Sequence, residues 1–146
     1  MKPGVFQDKV VLITGAASGI GQALSLEFAA AGARPVVFQE LGCPAGHADG
    51  SLLGSTPAQQ QRFFAHAFAE LASEPRIRAA FVFQLVDWSP ELFATMYGGV
   101  LEGEGVPQDF ADRFEEWLLT TGLMTYTDGT TRPAWDTFLS AVAASP

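Results

Sequence analysis

The sequence predicts an α/β chain, with a three-stranded parallel βαβαβ core and two C-terminal helices. Short β-branched runs alternate with longer stretches whose apolar residues recur at helical spacing. Glycine or proline stands where the helical stretches stop. Strands that alternate with helices pair in parallel through right-handed crossovers. At 146 residues the chain reads as a single domain, 1–146.

Residues 9–14 (KVVLIT) form the first predicted strand, a β-branched run ended by Gly15. Residues 20–31 carry Leu24, Phe28 and Ala31 on one helical face and stop at Gly32, a C′ glycine. Residues 35–39 (PVVFQ) are the second strand, with proline at its first position, where a missing N–H is tolerated. The Gly-rich stretch 42–55 is a long loop. Ser55-Thr56-Pro57 then caps a helix with Phe64, Ala67, Phe68 and Leu71 as its stripe, ended by Pro75. Residues 79–86 (AAFVFQLV) are the third strand. Two helices follow: 107–121, with Phe110, Phe114, Trp117 and Leu118, and, after a turn at Asp128-Gly129, 133–144, with Trp135, Phe138, Leu139 and Val142.

Composition narrows the function. The formal charge is −8, and 12 of the 16 acids fall in residues 61–146. Eight basic residues, only two of them lysines, do not make a face that could neutralise a run of phosphates, so no nucleic-acid partner is expected. The single cysteine, Cys43, excludes an intramolecular disulfide and a multi-cysteine zinc site. His47 and His66 lack ligand spacing to one another, and no metal site is expected. No apolar stretch approaches the roughly 20 residues of a membrane span, and MKPGVFQDK lacks the order of a secretory signal. A soluble, cytoplasmic chain without a membrane partner is expected.

The first strand runs into Thr14-Gly15-Ala16-Ala17-Ser18-Gly19-Ile20-Gly21 and then a helix. Here Gly15 permits a tight turn, Gly19 close approach of backbone N–H groups to a pyrophosphate, and Gly21 close packing of helix on strand. Residues 4–34 resemble the opening of a short-chain dehydrogenase/reductase, with its TGxxxGxG fingerprint. The resemblance implies a Rossmann-like layer and an NAD(P) site at Gly15, Ser18, Gly19, Ile20 and Gly21. The family's cofactor-selecting position after the second strand falls on Gln39, with Glu40 one step later. The family's catalytic tyrosine needs a lysine four residues on; Tyr97 is followed there by Leu101 and Tyr126 by Thr130, so hydride chemistry is not expected.

Residues 35–140 carry PVVFQELGCPAG, STPAQQQRFF, FVFQLVDWSP, TTGL and DGTTRPAWDTF in order. These resemble the last two βα units of a retaining TIM-barrel glycoside hydrolase. The resemblance implies Glu40 as nucleophile at a strand end and Trp88, after Asp87, as a sugar-stacking aromatic. Retaining hydrolysis needs a second carboxyl about 5–5.5 Å away. The family supplies it from a strand absent from this sequence, and Asp87 is the local substitute.

The two resemblances meet at Arg34-Pro35 and imply a chimera: a dehydrogenase-like βα unit (1–34) before a fragment of a hydrolase barrel (35–146). The primary expectation is a glycoside-hydrolase-like fragment without full catalysis, with Glu40 a vestigial nucleophile and Trp88 and Asp87 contacting carbohydrate. The alternatives are a dinucleotide- or phosphate-binding module lacking the tyrosine–lysine pair, and a folded scaffold with no ligand. A three-stranded sheet leaves open edges, so self-association is expected.

Overall fold

Three strands pair in parallel in chain order: β1 (Leu12–Thr14), β2 (Val36–Leu41) and β3 (Ile77–Val82). The computed structural model describes residues 4–7, 9, 11–14, 19–33, 36–47, 54–74, 77–103 and 105–144. The helices are α1 (Gly19–Ala30), α2 (Pro57–Ser73), α3 (Pro90–Phe93), α4 (Gly99–Gly103), α5 (Gln108–Thr120) and α6 (Pro133–Ala144), with a π-helical turn (Ala94–Gly98) between α3 and α4. The α/β class is as the sequence predicts. The chain divides into two compact units: residues 1–42 with 66–83, and residues 43–65 with 84–146. Both sides of the 34/35 join thus belong to the first unit; Arg34 and Pro35 themselves lie outside the described residues.

In the first unit, Ile13 of β1 is buried and packs against Val11, Phe28 of α1, Leu71 of α2 and Ile77 of β3. Both helices therefore cover the face of the sheet to which Ile13 points. Helix α1 ends in a Schellman motif, in which Ala33 N–H donates to Phe28 C=O and Gly32 N–H to Ala29 C=O, both at 3.1 Å. Gly32 has φ +91, a conformation that makes glycine the fitting residue at C′.

Helix α2 opens with a reciprocal capping box. Gln59 N–H donates to Thr56 Oγ1 at 3.3 Å, Thr56 N–H donates to Gln59 Oε1 at 2.8 Å, and Pro57 takes the first helical position. Ser89 caps α3 in one direction only, its hydroxyl accepting from Leu92 N–H at 3.1 Å with Pro90 behind it. In the second unit Phe64, Leu118, Leu123 and Thr121 are buried, and Phe110, Phe114 and Trp117 stack along α5 at centroid spacings of 6.1 and 6.2 Å.

Several bounds differ from expectation: β1 spans Leu12–Thr14 where 9–14 is predicted, and β2 runs on to Leu41 where 35–39 is predicted. The third strand spans Ile77–Val82 instead of 79–86, because its partner β2 ends at Leu41; Phe83 N–H makes the last bond, to Leu41 C=O at 2.9 Å. The rest of the apolar run enters the second unit, where Gln84 Nε2 donates to Leu118 C=O at 2.7 Å and Val86 forms a parallel bridge with Met124. The helical arm from Pro90 to Gly103 has no counterpart among the predicted elements, because a π-helical turn breaks the helical periodicity.

Candidate functional site

The strand β1 ends at Thr14 and α1 begins at Gly19. Of the predicted phosphate cradle, Gly15 and Ser18 lie outside the described residues; Gly19, Ile20 and Gly21 are the first three residues of α1. Gly21 is half-buried, and its carbonyl accepts from Ser25 Oγ at 2.8 Å. A twelve-residue helix opening at the carboxyl end of a parallel strand has its unpaired N–H groups and the positive end of its dipole there. Gln39 pairs in register with Thr14, the last residue of β1; its side chain lies outside the described residues.

Glu40 follows in an unusual backbone state. Phe38 pairs with Ala80 and Leu41 with Val82, three steps on β2 against two on β3, so β2 carries one extra residue. Glu40 has φ +60, and no other non-glycine residue among those described has a positive φ. Such bulges bend a strand and re-aim a side chain. The Glu40 side chain is exposed and lines an open cleft of about 300 Å³ with Phe81, Val82 and Phe83. Phe81 is 56% exposed. Glu40 is the one carboxylate among these lining residues.

In the second unit, the carboxylate of Asp87 is turned into the protein. Its Oδ1 accepts from Gly122 N–H at 2.9 Å and Arg132 Nη1 at 2.8 Å, and its Oδ2 from Arg132 Nη2 at 2.7 Å. With both oxygens engaged and 5% of the side chain exposed, Asp87 is held by protein groups. Trp88, half-buried, stacks on Tyr97 at 5.9 Å and 26°.

Sequence reasoning missed several polar residues. Gln60 is fully buried, and its Nε2 lies within hydrogen-bonding distance of the carbonyls of Cys43, Thr121 and Gly122 (2.9, 3.3 and 3.0 Å). A glutamine in a helical stripe carries no signal of that role. His47 is not isolated: its Nδ1 lies 2.5 Å from Glu116 Oε1, which also accepts from His47 N–H at 3.1 Å. Cys43 Sγ–H donates to Ser55 Oγ at 3.7 Å; burial pushes the thiol pKa up, and the Ser55 contact opposes this. No group of three or more His, Cys, Asp or Glu among the described residues is placed to hold a metal ion. No helix among them is long and apolar enough to cross a membrane.

No family model matches the chain. Among solved structures, a proposed short chain dehydrogenase from Pseudomonas syringae aligns with 71% of this chain at 24% identity and a TM-score of 0.33. The alignment takes in 35% of that protein, so the chain spans about a third of its length.

Proposed function

We propose that the chain is a phosphate-recognising α/β unit of dinucleotide type that binds NAD(P) without transferring hydride. The junction of β1 and α1 supports this reading: a strand ending at Thr14, the glycine-bearing sequence 15–18 and a helix starting at Gly19, beside a parallel neighbour. The start of α1 at Gly19 and the residue types around it support the group. Gly15, Ser18, Gly19, Ile20 and Gly21 would hold the pyrophosphate, while Gln39 and Glu40, at the end of β2, would take the adenosine ribose. A carboxylate accepts both ribose hydroxyls and repels a 2′-phosphate, so NAD is favoured over NADP. The nicotinamide ring, when bound, supplies a hydride acceptor. This chain has no tyrosine–lysine pair to move the accompanying proton, because its lysines are Lys2 and Lys9.

Among the described residues the sheet order β1-β2-β3 contains no reversal, hence no switch-point crevice to take the second half of a dinucleotide. The unit therefore holds the adenosine diphosphate half alone. Titration of the thermal midpoint with ADP, NAD and NADP tests this. ADP and NAD should stabilise alike, NADP less, and Gly19→Asp, checked for folding by circular dichroism, should lose the effect. A shift that survives Gly19→Asp, or none at millimolar ligand, overturns the reading. We place such a unit in the cytoplasm, where a lone thiol stays reduced.

A carbohydrate reading would use the strained Glu40 as its carboxylate and the exposed Phe81, which lines the same cleft, as its apolar platform. Full retaining hydrolysis is not part of it, since Asp87 is committed to Arg132 and Gly122. Hydrolysis of an activated aryl glycoside that disappears in Glu40→Gln would establish residual turnover. The edges of β1 and β3, unpaired among the described residues, would pair with a second copy, which sedimentation at rising concentration measures.

A further inference from the structure

The helical arm of the second unit, made of α3, the π-helical turn and α4, is apolar on two sides. Its inner side is covered. Phe93 is 6% exposed and lies 6.4 Å from Phe114 of α5, Tyr97 meets the same ring edge-on at 5.3 Å, and Leu101 lines a recess with Ala111 of α5. One residue before each of these stand Leu92, Met96 and Val100, which are 43%, 56% and 56% exposed. A helix with apolar residues all round belongs in a packed setting, yet this outer row faces solvent.

The three residues form a line. Positions four apart drift by about 40° around an α-helix of 3.6 residues per turn. The π-helical turn Ala94–Gly98 winds more residues into each turn and offsets that drift between Leu92 and Val100. Eight steps of about 1.5 Å make the row about 12 Å long, just over two helical turns. Met96, at its centre, carries an unbranched thioether that adapts to the shape of a partner. Charge around the row is of one sign. Glu91 precedes Leu92, Glu102 follows Val100 by two positions, and residues 84–112 hold no lysine, arginine or histidine.

We propose that this outer row docks a basic amphipathic α-helix of another protein, its apolar ridge set along Leu92, Met96 and Val100 and its lysines or arginines at the acidic ends of the row. A helix is the fitting form. The backbone N–H and C=O groups of a helical arm are bonded within it and offer no ladder to an extended strand. Charge then selects among occupants. A second copy would set the same acidic ends against each other and a net −8 against −8, and an anionic lipid surface would be repelled likewise. A cationic helix is instead drawn in, and takes the apolar row out of water.

The test follows backbone NMR shifts of the whole chain during titration with a synthetic helix of leucine and lysine in amphipathic order, beside the same peptide with glutamate for lysine. Saturable shifts centred on residues 91–101 are expected for the lysine peptide alone, weakening as salt rises. Met96→Lys should lower the affinity at least about tenfold, by removing an apolar contact and adding a like charge, whereas Met96→Leu should keep it. Met96 is exposed, and an unchanged circular dichroism melt shows that both variants fold. Equal binding of the glutamate peptide, shifts centred elsewhere, preference for phosphatidylserine vesicles or undiminished binding by Met96→Lys each overturns the proposal. A concentration-dependent dimer that forms without peptide and shifts the same residues overturns it too. The dinucleotide reading is untouched by any of these results, since its residues lie in the first unit.

Discussion

The guanidinium of Arg132 forks onto the carboxylate of Asp87 through two parallel bonds of 2.8 and 2.7 Å. Nη1 also donates to Gly122 C=O at 2.8 Å, and Gly122 N–H returns a bond to Asp87 Oδ1. One buried ion pair thus joins the segment after β3, the turn after α5 and the start of α6 in a closed set of bonds. The surrounding backbone agrees with it: Asp87 N–H donates to Met124 C=O and Arg132 N–H to Leu123 C=O, at 3.0 and 2.8 Å.

Removing one member of this pair leaves the other buried without counter-charge, a loss of about 3–5 kcal/mol. Arg132→Met and Asp87→Leu should each lower the urea midpoint by that order. The double variant should recover most of the loss, because two apolar groups leave no orphan charge. Equal loss in single and double variants would show that shape rather than charge is at stake.

Gly122 is held to glycine by its neighbours. A Cβ would lie 2.4 Å from Asp87 N and 2.6 Å from Val86 C, both backbone atoms unable to swing away. Gly122→Ala should therefore destabilise by at least ~2 kcal/mol, within the range of overpacking. Gly99, in α4 with open space around its Cβ position, should gain from Gly99→Ala by about 0.5–1 kcal/mol. Opposite signs for one substitution in one unit are read from two thermal melts.

Local signals were legible where a residue acts through its own neighbours in sequence. The Gly32 C′, the Thr56-Pro57 start of α2 and the Asp128-Gly129 turn all rest on bonds within five residues. What could not be read depends on distant partners. The Asp87–Arg132 fork spans 45 positions, and the Gln60 contact with Gly122 spans 62. The end of β3 is decided by where β2 stops, which no apolar run records. Glu40 stood one step beyond the expected cofactor-selecting position, and a bulge inserts its extra residue between Phe38 and Leu41, which periodicity cannot reveal.

Cys43 gives a pH-dependent prediction. Burial raises its pKa in the folded state, so between the unfolded and folded values the native chain holds a proton that the unfolded chain has lost. This contribution to stability is full below the unfolded pKa and declines as pH rises through the folded one. Iodoacetamide at pH 8 should accordingly react more slowly with the native than with the urea-unfolded chain. Ser55→Ala, which removes the contact that lowers the pKa, should slow it further. Faster alkylation in Ser55→Ala would show that the serine shields the sulfur more than it acidifies it.

Glu40 separates strain from use. A non-glycine residue in the left-handed region carries roughly 1–2 kcal/mol of backbone cost, and glycine removes it. Glu40→Gly should therefore raise the thermal midpoint, although the new glycine gives back part of the gain through the entropy of the unfolded chain. Glu40→Val, β-branched at φ +60, should lower it. If the carboxylate selects NAD, Glu40→Gly should also erase the preference over NADP while ADP still binds at the junction of β1 and α1. A more stable variant that has lost only its discrimination would assign the bulge to ligand choice. A variant stabilised with its preference intact would return Glu40 to the backbone and leave the selecting role to Gln39.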